Sequence, residues 1–169
     1  LSESNLLMEG TSIDHTGVNS SMGVTSGKWY MEVYNILSGS GFMTLGLNPG
    51  YEGGGQAGGG AGYLNGMAEA SASLKDDGSL VDKSNLDDPD RWGTITLTST
   101  GLSSFSNGDI IGLALDYDNK KLWFSKNGTF YNSGDPAAGS NQQINWSGDV
   151  PIIFFNATPY HNEDARANF

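Results

Sequence analysis

The stretch that most constrains the fold of this chain is residues 108–128, GDIIGLALDYDNKKLWFSKNG. Two short runs rich in apolar and aromatic residues, Ile110–Asp116 and Lys121–Lys126, lie on either side of a polar, turn-prone tetrapeptide, which is typical of a β-hairpin. The pair Asn127-Gly128 readily takes the positive φ angles of a type I′ turn, so we expect the chain to reverse again there. The first run is apolar on both faces, which predicts a central strand beneath a second layer.

Several other segments also have the pattern of strands. Residues 28–34 alternate strictly, so every second side chain of this segment should face the core. The expected core set in this strand is Trp29, Met31 and Val33, and the set facing away is Tyr30, Glu32 and Tyr34. Further strands are expected at residues 42–47, 70–74, 92–97, 150–156 and 165–169. The other aromatic residues assigned to the core are Trp123, Phe124, Phe154 and Phe155.

Three of these segments, in this order, resemble SPRY (B30.2-like) domains. Residues 108–128 are similar to the GD-x-IG-x-x-LD…FxxNG signature, residues 27–33 (GKWYMEV) resemble the opening strand of that fold, and residues 167–169 (ANF) resemble its closing strand. The resemblance implies an all-β fold: a two-sheet antiparallel concanavalin-like (SPRY-type) β-sandwich with long Gly/Ser/Asn-rich loops. It also implies that the end loops bind a partner and catalyse no reaction. The phrase NGTF…DPAAG at residues 127–139 is most similar to SPRY domains of bacteriophage virion and tail proteins, which implies location in a phage particle.

A chain of 169 residues is long enough for one domain that buries about 70% of its unfolded surface. We expect residues 1–26 to be a lead-in segment with one edge strand, and residues 27–169 to form the sandwich. Because the match to the closing strand stops before its glycine, we interpret the chain as a segment of a longer protein. With no cysteine, the core must stand without disulfides or a thiolate metal site.

Net charge, hydropathy and the glycine-rich segment argue against nucleic acid, membrane insertion and a phosphate-binding loop in turn. The net charge is −11, from 19 acidic and 8 basic residues, and such a surface repels the phosphates of nucleic acid. No apolar run approaches the ~18 residues of a membrane helix, so insertion into a membrane is not expected. The glycine-rich residues 53–62 lack the lysine of a phosphate-binding loop, which favours a flexible loop. We therefore expect no cofactor.

Acidic residues are the candidates for catalysis and for metal binding. Concanavalin-like sandwiches include glycoside hydrolases, which need two carboxyl groups across the scissile bond. Glu32 is the one carboxylate inside a strictly alternating strand, and it has no acidic partner at i+2 or i+4. We therefore expect no enzymatic activity, although a pair assembled from distant strands stays open. The weak calcium candidates, which lack EF-hand spacing, are Asp116, Asp118, Asp87, Asp88 and Asp90.

Aromatic residues in or beside loops are the stronger candidates for ligand binding. An exposed ring beside Asn, Asp and Gln is typical of surfaces that stack on sugars or anchor peptides. The alternative is that such rings fasten their loops to the sandwich. The expected contact loops are residues 48–63, 82–92 and 131–148. The candidate ligand-binding residues are Tyr51, Tyr63, Arg91, Tyr131, Trp146 and Tyr160.

Three functional hypotheses follow from these patterns. The first is a non-catalytic recognition module of a phage virion or tail protein, which binds a host surface glycan or protein through its end loops. The second is a structural capsid or fibre domain that contacts other virion subunits. The third is a glycan-active enzyme on a concanavalin-like sandwich.

Overall fold

The computed structural model describes residues 6–9, 18–37, 41–48, 72–82, 93–99, 101–160 and 163–168. The strands are β1 (Leu6–Glu9), β2 (Val18–Asn19), β3 (Lys28–Leu37), β4 (Phe42–Asn48), β5 (Ala72–Lys75), β6 (Leu80–Asp82), β7 (Ile95–Leu97), β8 (Ile110–Asp116), β9 (Lys121–Lys126), β10 (Thr129–Phe130), β11 (Ile144–Trp146), β12 (Phe154–Tyr160) and β13 (Glu163–Asn168). The one helical element among these residues is a 3-10 turn at Tyr131–Ser133. Nowhere in this part of the chain is there a helix with the length and hydropathy of a membrane span.

The strands form the two antiparallel sheets that the sequence predicts. The large sheet has the order β1-β13-β3-β8-β9-β11-β7, with β10 paired to β9, and the small sheet has the order β2-β12-β4-β5-β6. The lead-in residues 1–26 contribute one edge strand to each sheet. Strand β1 pairs with β13 at one edge of the large sheet, and β2 pairs with β12 at one edge of the small sheet. The fold is a two-sheet β-sandwich.

The central hairpin is confirmed in detail. Strand β8 lies between β3 and β9, with Met31 opposite Leu113 and Leu113 opposite Phe124. Asn127 and Gly128 have φ angles of 50° and 79°, as both central residues of a type I′ turn require. Lys126 then pairs with Thr129 as the chain reverses.

The core is built from alternate residues of the two sheets. The large side chains of this cluster with no exposed surface are Val33, Met43, Leu45, Leu47, Leu74, Ile111, Leu113, Leu122, Phe124, Ile144 and Ile153. Burying each of these stabilises the fold by roughly 1.5–3 kcal/mol relative to leaving it exposed. Because the residues come from strands far apart in sequence, the two sheets hold each other in place.

The small sheet is also buried on its other face, which is polar. Thr44, Asn156 and Thr158 are almost completely inaccessible to solvent. Buried polar groups need hydrogen-bond partners, and Thr158 Oγ1 donates to Asn156 Oδ1 at 3.0 Å while Asn156 Nδ2 donates to Asn19 Oδ1 at 2.8 Å. The side chains of this face therefore pair laterally along the sheet.

The largest differences from the predictions concern two segments and one aromatic residue. The predicted loop at residues 131–148 is wrong at both ends, because it contains the 3-10 turn and strand β11, which pairs with β7 and β9. The strand expected at 150–156 instead runs from Phe154 to Tyr160, because Pro151 has no N–H to give to a ladder. Trp29, predicted in the core, is a residue with 39% of its surface exposed, and its indole Nε1 donates a 2.6 Å hydrogen bond to Ser26 O at the strand end.

Candidate functional site

The outer face of the large sheet carries a row of three side chains across β3, β8 and β9. The ladder places Tyr30 opposite Ala114, and Ala114 opposite Trp123. Trp123 and Ala114 are buried, although they face away from the core, whereas Tyr30 is 48% exposed. Another part of the chain therefore covers Trp123 of β9 and Ala114 of β8, and leaves Tyr30 of β3 partly exposed.

That cover is a tight turn at residues 134–140, which we name the covering turn. Asp135 and Ser140 exchange two backbone hydrogen bonds of 3.0 Å across its base. The Asp135 carboxylate accepts the N–H of Ala138 at 2.9 Å, a local bond that aspartate side chains commonly make in turns. This local closure makes the turn a compact body.

The covering turn is fastened to β9 by direct hydrogen bonds. Trp123 Nε1 donates to the carbonyl of Ser140 at 2.8 Å, and Lys121 Nζ donates to the carbonyl of Gly139 at 2.7 Å. A Cβ at Gly134 would lie only 2.9 Å from Cδ1 of Trp123, so a glycine is needed for this close approach of the backbone. The turn therefore sits directly on the indole.

Between the covering turn and β3 lies a groove of about 480 Å³. Ala114 and Trp123 lie at its base, Trp29 and Tyr30 line the β3 side, and Pro136 and Ala137 line the opposite side. Both β3 rings keep more than a third of their surface exposed. The groove is mainly apolar, and its walls come from a sheet and from a turn fastened to that sheet.

The polar atoms of the two exposed rings are already bonded within the chain. Tyr30 donates its hydroxyl to Glu32 Oε1 at 2.9 Å, and Trp29 bonds to Ser26 as above. Burial raises the pKa of Tyr30 and the neighbouring Glu32 carboxylate raises it further, against a lowering contribution from Ser125. Tyr30 is therefore a neutral phenol at pH 7, and a ligand in the groove meets mainly its ring.

The polar end of the groove is formed by Lys28 and Asp116. Lys28 Nζ lies 3.4 Å from Asp116 Oδ2 and donates to the carbonyl of Pro136 at 3.3 Å. Burial alone would raise the pKa of Asp116, but hydrogen bonds from Asn119 and Lys28 outweigh it and lower that pKa. Asp116 is thus a fixed carboxylate that closes the β8–β9 turn and bridges it to β3.

Asp118, the neighbouring calcium candidate, also has an internal bond. Its two carboxylate oxygens lie 3.2 and 3.1 Å from the N–H of Gly27, which donates to them. No group of three or more His, Cys, Asp or Glu side chains that could hold a metal ion occurs within the described ranges. The other calcium candidates, Asp87, Asp88 and Asp90, lie outside those ranges.

The structure does not bring the predicted ligand-binding residues together in the part of the chain it describes. Trp146 lies in β11 with its ring 6% exposed and in the core, so its predicted place in a loop is wrong. Tyr131 is half-buried against the core and donates its hydroxyl to Ser103 O at 3.0 Å. Tyr160 ends β12, paired with Phe42. The remaining candidates, Tyr51, Tyr63 and Arg91, lie outside the described residues.

Sequence reasoning missed Trp29, Tyr30 and Pro136 as groove residues. For Tyr30 the signal was present, because the alternation of β3 already placed this aromatic ring on the face away from the core. What was missing was the position of the covering turn, which depends on the contact between Trp123 and a segment about 15 residues away in sequence.

No protein-family model matches this sequence, and no curated protein matches it. Among solved structures, the SPRY domain of human HERC1 is similar with a TM-score of 0.62 and 17% sequence identity, over 98% of this chain and 88% of that one. A second human SPRY domain has a TM-score of 0.61 and 17% identity, over 99% of this chain and 92% of that one. At this level of identity the likeness is one of architecture, and it agrees with the two antiparallel sheets described above. The chain therefore has the β-sandwich fold of SPRY domains.

Proposed function

We propose that this chain is a non-catalytic recognition module whose groove binds a segment of a partner protein. The observation that carries the proposal is the pair of rings, Trp29 and Tyr30, left more than a third exposed beside an apolar groove of about 480 Å³. That volume is in the usual range for ligand sites, and Trp and Tyr are the residues that most often dominate binding energy at protein interfaces.

The rigidity of the walls supports this function. Trp29 and Tyr30 lie on the part of β3 that pairs with β8, and β13 pairs with the same strand from Glu32 onward. The opposite wall is fastened to β9 by Lys121 and Trp123. A groove held in its binding shape loses little conformational entropy when a partner enters, which favours affinity.

The carboxylates around the groove favour recognition over hydrolysis. Asp116 is bonded to Asn119 and Lys28, Asp135 accepts the N–H of Ala138, and Glu32 accepts the hydroxyl of Tyr30. A general acid or base must be able to exchange a proton with a bound substrate. Each of these groups instead holds a turn or a ring in position.

We propose further that the module belongs to a phage virion or tail protein and that its partner is a protein on the host surface, with a host glycan as the alternative that the test below separates. The sequence similarity of residues 127–139 to phage SPRY domains is the support for this setting. In this proposal, the loops 48–63 and 82–92, with Tyr51, Tyr63 and Arg91, extend the contact surface beyond the groove.

Selection from a random peptide library tests the proposal with a control on the same strand. Peptides selected on the immobilised protein should lose at least about tenfold in affinity for Tyr30→Ala, because truncating a buried interface tyrosine commonly costs more than 1 kcal/mol. Tyr34→Ala is the matched control, since Tyr34 is 43% exposed, lies on the same face of β3 and does not line the groove. We expect its peptide affinities to equal those of the wild type.

Two outcomes would contradict the groove proposal. Selected peptides that depend on Tyr34 and not on Tyr30 would place binding elsewhere on this face. Binding to a glycan array with no selected peptide would replace the protein partner with a sugar.

A further inference from the structure

We propose that the groove selects a cationic segment, in which an arginine or lysine lies next to an apolar residue of the partner. This inference rests on the proposed function and names the chemistry of its partner. The apolar residue would fill the groove between Tyr30 and Pro136, and the cation would lie at the acidic rim, against the faces of Trp29 and Tyr30.

The charges around the groove are unequal. Among the described residues, Lys28 is the one basic residue that lines it, and its ammonium already faces Asp116 and the carbonyl of Pro136. Asp135 also lines the groove, and Asp118 bonds to Gly27, two residues before Trp29. No described Lys or Arg side chain lies within 4.0 Å of either carboxylate. Two negative charges therefore remain beside the groove without a paired cation.

The internal bonds of Asp118 and Asp135 do not cancel these charges. Both carboxylates accept backbone N–H groups, which orients them and leaves their net charge in place. Both side chains belong to exposed residues, so a partner's cation can approach them without being fully dehydrated. The net charge of −11 for the whole chain adds long-range attraction for a basic segment and repulsion for an acidic or phosphorylated one.

The aromatic rings favour the same partner. A cation is attracted to the face of Trp or Tyr, and arginine can stack there while it bonds to a carboxylate. Because the hydroxyl of Tyr30 and the indole N–H of Trp29 are bonded to Glu32 and Ser26, a partner meets mainly the carbon atoms of the two rings. Glu32 also places a further carboxylate beside Tyr30.

The test uses the peptides selected on the wild-type protein. We expect Arg and Lys to be enriched next to an apolar position in them. Replacing that arginine with citrulline, which has a similar shape and no charge, should weaken binding about tenfold at 50 mM NaCl, and by less at 500 mM because salt screens the rim. The double variant Asp118→Asn with Asp135→Asn should reduce the difference between the arginine and citrulline peptides. Asparagine keeps the oxygen that accepts the backbone N–H, so both turns should remain intact.

Asp149→Asn is the matched control, because it removes one exposed negative charge away from the groove, and it should leave the preference unchanged. Tyr30-dependent peptides with no basic enrichment, or equal affinity for arginine and citrulline forms, would overturn the cationic selection and leave the proposed function standing. The absence of any Tyr30-dependent peptide would overturn both.

Discussion

At the scale of the residue, Gly112 decides where the ring of Tyr30 can lie. A Cβ at this position would be 2.3 Å from Tyr30 Oη and 2.3 Å from Ser125 Oγ, distances that no real contact allows. Ser125 is a buried residue of β9 that lies directly opposite Gly112, whereas Tyr30 is half exposed. The missing side chain of Gly112 therefore keeps Tyr30 close to the sheet and bonded to Glu32.

We predict that Gly112→Ala weakens both stability and peptide binding. The added methyl should lower the free energy of unfolding by about 1–3 kcal/mol, the usual range for overpacking, and should displace Tyr30 from the groove wall. Denaturant unfolding and the affinity of the selected peptides measure the two effects.

Gly128→Ala serves as the control for Gly112→Ala. Gly128 has open space around its Cβ position and a φ of 79°, so its cost of about 1 kcal/mol comes from backbone strain alone. Binding should be unaffected in this variant. A Gly112→Ala protein with wild-type peptide affinity would show that Tyr30 is not positioned by this glycine.

At the scale of the element, the start of β8 is joined to the β9–β10 turn through Asp109. Its carboxylate accepts hydrogen bonds from Ser106 N–H and Asn127 Nδ2 at 2.8 Å, and lies 2.8 Å from Lys126 Nζ. Burial alone would raise the pKa of Asp109, but these three donors outweigh it and lower the pKa to about 2. One side chain thus ties together the loop before β8, the end of β9 and the β9–β10 turn.

We predict that Asp109 makes the fold sensitive to acid. Because its pKa in the folded chain lies below the usual 3.8, its contribution is complete above about pH 5 and is lost as the pH falls through 3.8 towards 2. Between pH 6 and pH 2 the wild type should lose up to about 2 kcal/mol more unfolding free energy than Asp109→Asn. Asp77, whose pKa is also about 2 through Lys75 and Ser79, titrates equally in both proteins and cancels. Parallel stability curves over this range would contradict the prediction.

The elements that could be predicted from sequence are those specified by local chemistry. The β8–β9–β10 strands follow from apolar runs and from Asn127-Gly128, whose turn needs no distant partner. Strand β11 could not be predicted, because Ile144–Trp146 is a three-residue strand among Gly, Ser and Asn, and its burial depends on pairing with Leu97 and Leu122. The candidate site was missed for the same reason, since its far wall is placed by a contact between Trp123 and Ser140.

At the scale of the whole molecule, two sheets stabilise one another, and on the outer face of the large sheet Tyr30 and Tyr34 are exposed within the described residues. The core side chains alternate with those of the outer face on the same strands, so the groove and the core share β3, β8 and β9 as their scaffold. This fits a shared fold at 17% identity to the SPRY domain of human HERC1, because burial at alternate positions specifies the sandwich while many exposed positions can vary. Variation on the outer face can therefore change the partner without changing the architecture.

The pairing of β1 with β13 has a further consequence, which concerns connectivity. Leu6 lies opposite Ala167 in an antiparallel ladder, so two segments from opposite ends of the chain are neighbours about 5 Å apart. A circular permutant that joins these ends with a short Gly-Ser linker and begins instead at the exposed Gly101 should fold with the same groove. Retained affinity for the selected peptides would verify this, and an unfolded permutant would refute it. By the same geometry, we expect that the whole domain can be inserted into a surface loop of another protein, which would then carry the groove.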